Sequence, residues 1–424
     1  MTLAGLWGLT DGSITKAGPQ RENWLFALLT ELPHRVMTQA QVGVVLTVRR
    51  PEPPPCRSAA IDYRKRISSN YGGFGMSGFT KVCATVATAA SFLASGMAQA
   101  ETPSEGCGTG APVSGIYQTD VGGLTRTWRM QIPSALDAAK PAPLALIFHG
   151  WGEDENAFLD KAIVTAEADR LGFVLVAARG VGSGSGDESY NSWTFKGSAT
   201  GVGGDGQSIC SGSETNYAYK SCGPVGDGVA KNGCSWTQCQ TDDAAFVLDM
   251  IAEVGKSACI DLDRVFMTGG SNGGMFTWDM GQTPAVASKL RAIAPLIGLP
   301  HRGFLDGPGR TDGLPVLLIT GTDDPTVPPG AWGDAGFTTT ADSDLYHYSG
   351  ATAITEVWAQ AQGCTGEPMA VDFGSEGIEC RSSCAADRSG LPVVLDCRAA
   401  MAHDYGLDQT WPMILDFFAR QPQR

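Results

Sequence analysis

The pentapeptide Gly269-Gly270-Ser271-Asn272-Gly273 lies between a short buried run, residues 264–268, and a helical pattern, residues 272–280. A glycine-rich chain produces Gly-X-Ser-X-Gly by chance. A strand directly before it and a helix directly after it favour a strained turn that exposes the serine hydroxyl. The alternative is a strand-to-helix turn whose glycines only allow close packing, which includes a dinucleotide-binding turn, but residues 269–274 lack the G-x-G-x-x-G spacing. The pattern therefore predicts that Ser271 is a nucleophile.

From residue 101 onward, short apolar runs alternate with helical stretches, as in proteins with a parallel sheet. The sequence predicts strands at 125–133, 143–148, 173–178, 264–268, 292–297, 315–320 and 393–397, and helices at 242–254, 272–280, 354–362 and 411–418. We expect one α/β domain over residues 101–424, with a mostly parallel central sheet flanked by helices. A Gly-, Ser- and Cys-rich stretch at about 181–240 interrupts the alternation, and we interpret it as an insertion that shapes the substrate site.

Residues 81–100 have the three parts of a secretory signal: Lys81, an apolar run, and the Ala98-Gln99-Ala100 cleavage pattern. The apolar run is short for a membrane span of roughly 20 residues. Because a signal peptide belongs at the N-terminus, we expect translation to begin at Met76 and residues 76–100 to be removed. Residues 1–75 are then a gene-model artefact or a disordered leader. N-terminal sequencing of the secreted protein tests this expectation.

The chain has 12 cysteines, of which all but two follow residue 100. In an exported protein this even number predicts up to five disulfides. Neighbours such as Cys234 and Cys239, or Cys380 and Cys384, are close enough to pair, although the sequence does not decide the pairing. The cysteine-rich stretches lack histidine and contain no pair of C-x-x-C motifs, so we expect no metal site.

The formal net charge is -14. Such an acidic chain is a poor partner for nucleic acid or for an anionic membrane surface. We expect neither as a partner, and we expect the protein to be a monomer.

A serine nucleophile needs a histidine base and an acid that orients the base. Four histidines follow residue 100, and His403 is the one between the last predicted strand and the last predicted helix. Asp323 and Asp324 lie just past the strand predicted at 315–320, so either carboxylate can supply the acid, and we favour Asp324; a simple turn with Pro325 is the alternative for this pair. The chain order serine, acid, histidine is the one that α/β-hydrolases use.

Backbone N–H groups that stabilise the developing oxyanion are expected after the nucleophile and after the first buried strand. Asn272 is the first donor, and Trp151 in His149-Gly150-Trp151-Gly152 is the second. We assign His149 to supporting this loop. Trp151 and Trp193 are candidate substrate-binding residues, with ordinary core packing as the alternative for both.

Seven motifs occur in order along residues 107–420: Phe148-His-Gly-Trp-Gly152, Ser192-Trp193, Thr241-Asp-Asp243, Cys259-Ile-Asp261, Gly270-Ser-Asn-Gly-Gly-Met275, Gly321-Thr-Asp-Asp-Pro325 and His403-Asp404. Together they resemble the secreted feruloyl esterases of the first carbohydrate-esterase family and related poly(3-hydroxybutyrate) depolymerases. The resemblance implies an α/β-hydrolase fold without metal or cofactor. It also implies a Ser271, Asp324 and His403 triad, because the family's acid follows Gly-Thr-x.

The chain departs from this pattern in the long Cys/Gly-rich insertion and in Asp-Tyr-Gly after His403. The resemblance implies a secreted serine esterase that hydrolyses feruloyl or acetyl esters of plant-cell-wall xylan. The alternatives are an extracellular poly(3-hydroxybutyrate) depolymerase and a non-catalytic carbohydrate-binding relative. The partner is accordingly a polysaccharide or a polyester substrate.

Overall fold

The computed structural model describes residues 101–109, 112–182, 190–211, 234–235, 237, 240–341 and 345–423. These residues all belong to one compact unit. The predicted leader and signal peptide, residues 1–75 and 76–100, lie outside the described residues, as does most of the predicted insertion.

The strands of the described residues are β1 (Gly115–Val121), β2 (Leu124–Gln131), β3 (Ala142–Phe148), β4 (Val174–Ala178), β5 (Ile260–Gly270), β6 (Ala292–Leu296), β7 (Val316–Gly321), β8 (Phe337–Thr339), β9 (His347–Ser349), β10 (Met369–Val371), β11 (Ile378–Ser382) and β12 (Val394–Ala399). The helices are α1 (Asn156–Leu159), α2 (Ala162–Leu171), α3 (Asp243–Ser257), α4 (Asn272–Gln282), α5 (Pro284–Ala287), α6 (Ala351–Ala361) and α7 (Leu407–Arg420).

Ten strands form one sheet in the order β1-β2-β4-β3-β5-β6-β7-β12-β11-β10. Its centre, from β4 to β12, is parallel. The β1-β2 hairpin at one end and β11 and β10 at the other are antiparallel. The predicted mostly parallel sheet is confirmed, and with the serine turn after β5 this is the α/β-hydrolase fold.

The sheet is buried on both faces, which explains why its central strands are continuous apolar runs. Along β3, Leu144, Leu146 and Phe148 belong to one core and Ala145 and Ile147 to the other. Side chains of α3, α4 and α6 cover the first face, and side chains of α2 and α7 cover the second. Because the helices cover the two faces, they leave the edge at the carboxyl ends of the parallel strands open. The loops that follow the strands lie at this edge.

Four disulfides connect described cysteines: Cys107–Cys259, Cys210–Cys234, Cys364–Cys384 and Cys380–Cys397. The possible Cys380/Cys384 pair is not formed, because Cys380 is bonded to Cys397, which lies opposite it in the β11-β12 register. The possible Cys234/Cys239 pair is not formed either, since Cys234 is bonded to Cys210. In both cases a partner brought close by the fold replaces the near neighbour in sequence.

Among the described residues, no helix is both long and apolar enough to cross a membrane.

Candidate active site

Ser271 occupies a strained turn between β5 and α4. Its φ is 52° and its ψ is -116°, a conformation that costs a non-glycine residue about 1–3 kcal/mol. Two backbone hydrogen bonds fix the turn: Ser271 N donates to Leu296 O at 2.9 Å, and Met275 N donates to Ser271 O at 2.9 Å. The fold thus holds the serine side chain at the carboxyl edge of the sheet.

The glycines around Ser271 are required by close contacts. A Cβ on Gly270 would lie 2.1 Å from the Tyr405 ring, and one on Gly273 would lie 2.0 Å from Phe148 O. Any larger residue would displace a neighbouring strand or the loop that carries His403. The structure therefore gives a steric reason for the small flanks that made the pentapeptide recognisable.

Ser271, His403 and Asp324 form a continuous hydrogen-bonded chain. Ser271 Oγ donates to His403 Nε2 at 2.9 Å, and His403 Nδ1 donates to Asp324 Oδ2 at 2.8 Å. These distances place a base in reach of the serine proton and an acid in reach of the base. The structure brings together all three residues that the sequence selected.

Of the neighbouring residues Asp323 and Asp324, Asp324 has the buried side chain. Its side chain is fully buried, and its Oδ1 accepts hydrogen bonds from the N–H groups of Thr326 (2.8 Å) and Val327 (2.9 Å). Asp323, by contrast, is exposed. Because the two N–H donors hold one carboxylate oxygen, the other is aimed at His403.

The loop after β3 is held by a buried histidine. His149 Nδ1 donates to Gly150 O at 2.6 Å, and Gly180 N donates to His149 Nε2 at 2.9 Å. Burial lowers the pKa of His149 to about 4, so the ring is neutral at neutral pH. Trp193 Nε1 adds a hydrogen bond to His149 O at 2.9 Å. His149 thus supports the loop, as the sequence analysis assigned it.

The two tryptophans that the sequence nominated for substrate contact have different positions. Trp151 is half-buried and lines the cavity at Ser271. The assignment of Trp193 to the substrate pocket is wrong, because Trp193 is fully buried against Phe148 and Phe276. Its backbone N–H instead donates to Asn272 Oδ1 at 3.0 Å, which fixes the start of α4.

Asn272 is buried in the first turn of α4, where helical N–H groups have no partner within the helix. Its position next to the nucleophile suits the role of an oxyanion donor that the sequence assigned to it. Trp151, in the loop after β3, lines the same cavity. The two predicted donor loops therefore flank Ser271.

Glu153 and Tyr405 are site residues that sequence reasoning missed. Tyr405 Oη donates to Glu153 Oε2 at 2.5 Å, and Gly150 N donates to both, at 3.0 Å and 2.8 Å. Burial and the Glu153 carboxylate raise the pKa of Tyr405 well above its usual value, so the hydroxyl stays protonated. The unexpected Asp-Tyr-Gly after His403 was the one sequence signal for Tyr405.

A buried ion pair between β2 and α3 stabilises the segment that carries Trp193. Arg126 Nη1 on β2 lies 2.6 Å from Asp243 Oδ1 at the start of α3, and both side chains are almost fully buried. Asp243 Oδ2 also accepts from Thr194 N at 2.7 Å and from Thr241 Oγ1 at 2.9 Å. These contacts fix the segment that carries Trp193 to the start of α3. The motifs Ser192-Trp193 and Thr241-Asp-Asp243 therefore share a structural role.

The cavity at Ser271 has a volume of about 350 Å³, and we call it the Ser271 cavity. It is lined by Gly150, Trp151, Glu153, Ser271, Ile297, Thr326, His403, Asp404 and Tyr405. Among the residues that the structure describes, no group of His, Cys, Asp and Glu side chains is arranged to hold a metal ion.

No family model matches the chain. Over 150 residues the chain is 29% identical to feruloyl esterase B of Piromyces equi, a match that covers 34% of this chain and 26% of that protein. The similarity thus spans about a quarter of the length of the curated relative.

Two solved structures overlap with this one at low sequence identity. An acetyl xylan esterase from Aspergillus awamori has a TM-score of 0.41 and 12% identity, covering 68% of this chain and 94% of that one. An S-formylglutathione hydrolase from Agrobacterium tumefaciens has a TM-score of 0.33 and 12% identity, covering 53% and 79%. The fold assignment depends on the strand order and on the turn at Ser271.

Proposed function

We propose that this protein is a serine esterase that hydrolyses carboxylic esters through an acyl-enzyme. Ser271 Oγ attacks the ester carbonyl while His403 Nε2 takes its proton, and the Trp151 and Asn272 N–H groups stabilise the oxyanion. His403 then protonates the leaving alkoxide, and the C–O bond to the alcohol breaks. A water that gives its proton to His403 attacks the acyl-enzyme; the bond between the acyl carbon and Ser271 Oγ then breaks, His403 returns the proton to Ser271 Oγ, and the carboxylic acid is released.

The observation that carries this proposal is the Ser271–His403–Asp324 hydrogen-bonded chain. A non-catalytic relative has no need of a strained serine, a base within 2.9 Å and a buried acid held by two backbone donors. Strain at a turn of this kind persists where surrounding structure enforces it, which is common at active sites.

For the substrate we propose feruloyl or acetyl esters of plant-cell-wall xylan. Support comes from the 150 residues similar to a feruloyl esterase and from the ordered motifs between residues 107 and 420. The four disulfides suit an oxidising compartment, which supports residues 76–100 as a signal peptide and an extracellular location. We propose that the secreted enzyme is a monomer that needs no cofactor.

Activity assays of the purified protein on methyl ferulate, acetylated xylan and amorphous poly(3-hydroxybutyrate) test the proposal, with Ser271→Ala as the matched variant. We expect hydrolysis of a wall-type ester and its loss in Ser271→Ala. Equal activity in the variant, or no activity of the native protein on any ester, would refute the esterase mechanism. Turnover of the polyester alone would leave the mechanism intact and overturn the assignment to xylan.

A further inference from the structure

A second and larger cavity, of about 950 Å³, adjoins the Ser271 cavity. Its walls come from the start of β2, the loops after β3 and β4, the segment leading into α2, and the loop before α7. Glu153, Asp404 and Tyr405 line both cavities, so the two cavities are neighbours that share this wall. We call the larger cavity the polar cleft.

The polar cleft offers hydrogen-bonding groups of both kinds. Thr125 and Thr127 contribute hydroxyls, and Asp408 contributes an exposed carboxylate. Lys161 is exposed, and its Nζ makes no hydrogen bond or ion pair with the residues that the structure describes. A surface with intermixed donors and acceptors matches a ligand whose hydroxyl groups both donate and accept.

Arg179 adds a second cation whose orientation is fixed. Its Nε and Nη2 donate to the buried Glu155 carboxylate, both at 2.5 Å, and its side chain nevertheless remains 42% exposed. The bidentate pair holds the guanidinium in one position. The cleft is therefore built around a preorganised polar group.

The position of the general acid indicates which part of an ester would enter the cleft. His403 Nε2 protonates the departing oxygen, so the alcohol part of the ester must lie on the His403 side of Ser271. From His403 the chain runs directly into Asp404 and Tyr405, which line the polar cleft. An alcohol longer than the Ser271 cavity would extend past Asp404 and Tyr405 toward the cleft.

We propose that the polar cleft binds a polyhydroxylated leaving group, the sugar chain of a carbohydrate ester. This inference rests on the proposed esterase function and deepens it by assigning a location to the alcohol half of the substrate. A polyester chain can accept hydrogen bonds through its ester carbonyls but has no hydroxyl along its length to donate one, so it would leave the carboxylates of the cleft without partners. The cleft therefore favours a polysaccharide over a polyester.

The test compares esters that share an acyl group and differ in the alcohol. Methyl ferulate is paired with a feruloylated arabinoxylan oligosaccharide, and ethyl acetate, an unactivated ester, with an acetylated xylo-oligosaccharide. The variants are Lys161→Ala and the double variant Lys161→Ala/Asp408→Ala. Lys289→Ala, which removes an exposed lysine outside the cleft, is the matched control.

We expect the native protein to have a higher kcat/KM for the carbohydrate ester of each pair than for the alkyl ester with the same acyl group. The cleft variants should lower that value roughly five- to tenfold, mainly through KM, with simple esters within about twofold. Equal effects on both members of a pair, no effect on either, or a native preference for simple esters would overturn the cleft assignment. If native protein hydrolyses no ester in either pair, the esterase proposal itself fails.

Discussion

At the scale of single residues, Tyr405 connects the two loops that the reaction needs. It follows His403 by two positions, its ring packs on Phe158, and its hydroxyl bridges Gly150 N and Glu153. The base and the oxyanion loop are thus held by one side chain. Glu153 Oε2 accepts hydrogen bonds from both Tyr405 Oη and Gly150 N, so it belongs to the same connection.

The first prediction concerns the Tyr405 hydroxyl. Tyr405→Phe removes one acceptor of Gly150 N–H and one donor to Glu153, which loosens the oxyanion loop while the ring still packs. We expect kcat to fall about three- to tenfold, the worth of one hydrogen bond, with KM nearly unchanged. Steady-state kinetics on methyl ferulate measure both parameters.

A matched control is Tyr117→Phe, which removes a hydroxyl that donates to Val113 O in the exposed segment just before β1. It should leave kcat unchanged. A Tyr405→Phe variant with native kcat, or one that changes only KM, would show that the hydroxyl does not position the oxyanion loop.

Prediction of the site from the sequence was most specific where a role required a particular residue in a particular chain order. Ser271, Asp324 and His403 met that condition. Trp193 did not, because an aromatic residue packs in a core as readily as it lines a pocket, and only its 0% exposure distinguishes the two. Glu153 and Tyr405 were missed because their contact joins positions 252 residues apart.

At the scale of secondary-structure elements, burial decided what the sequence could predict. β3 and β4 are buried throughout, so their apolar runs were clear. β10 is mostly exposed, and α2 buries only Val164 and Ala168, so neither has a periodic apolar signal. β1, β8, β9 and β11 were missed as well, because edge strands and short hairpins depend on partners rather than on their own pattern.

The second prediction concerns the strain of the turn between β5 and α4. Ser271→Gly and Ser271→Ala both remove the nucleophile, but only glycine adopts φ 52°, ψ -116° without steric cost. We expect the Gly variant to exceed the Ala variant in free energy of unfolding by about 1 kcal/mol. Urea denaturation of the two inactive proteins measures the difference. An Ala variant at least as stable as the Gly variant would contradict strain at Ser271.

At the scale of the whole molecule, buried titratable groups couple the fold to pH. Burial lowers the pKa of His301 to about 3 and that of His149 to about 4. Between these values and the ordinary histidine pKa near 6.5, the unfolded chain binds protons that the folded chain does not. Their contribution to stability is therefore present above about pH 6.5 and is lost as the pH falls toward 4.

One buried carboxyl opposes this trend. Burial raises the pKa of Asp279 to about 6, so its contribution is present below the ordinary carboxyl pKa and is lost as the pH rises through 6. Between about pH 4 and 6, the two histidines change the free energy of unfolding more than the one aspartate does. From these three groups we expect the free energy of unfolding to rise with pH between about 4 and 6.

The third prediction isolates one of these histidines. His301→Phe keeps a ring between Phe195 and Tyr348 and removes the titrating group. We expect the pH slope of the unfolding free energy to decrease by about 1.4 kcal/mol per pH unit between about pH 4 and 6. Urea unfolding at several pH values gives both slopes. An unchanged slope would mean that His301 is protonated in the folded protein.

The proposed reaction requires that His403 activates Ser271. The most direct measurement is labelling of the purified protein with a fluorophosphonate, followed by peptide mass mapping. We predict one adduct, on Ser271, absent in Ser271→Ala and slowed at least about a hundredfold in His403→Ala, because the base is lost. Labelling at another residue, or at Ser271 with equal rate in His403→Ala, would contradict the account.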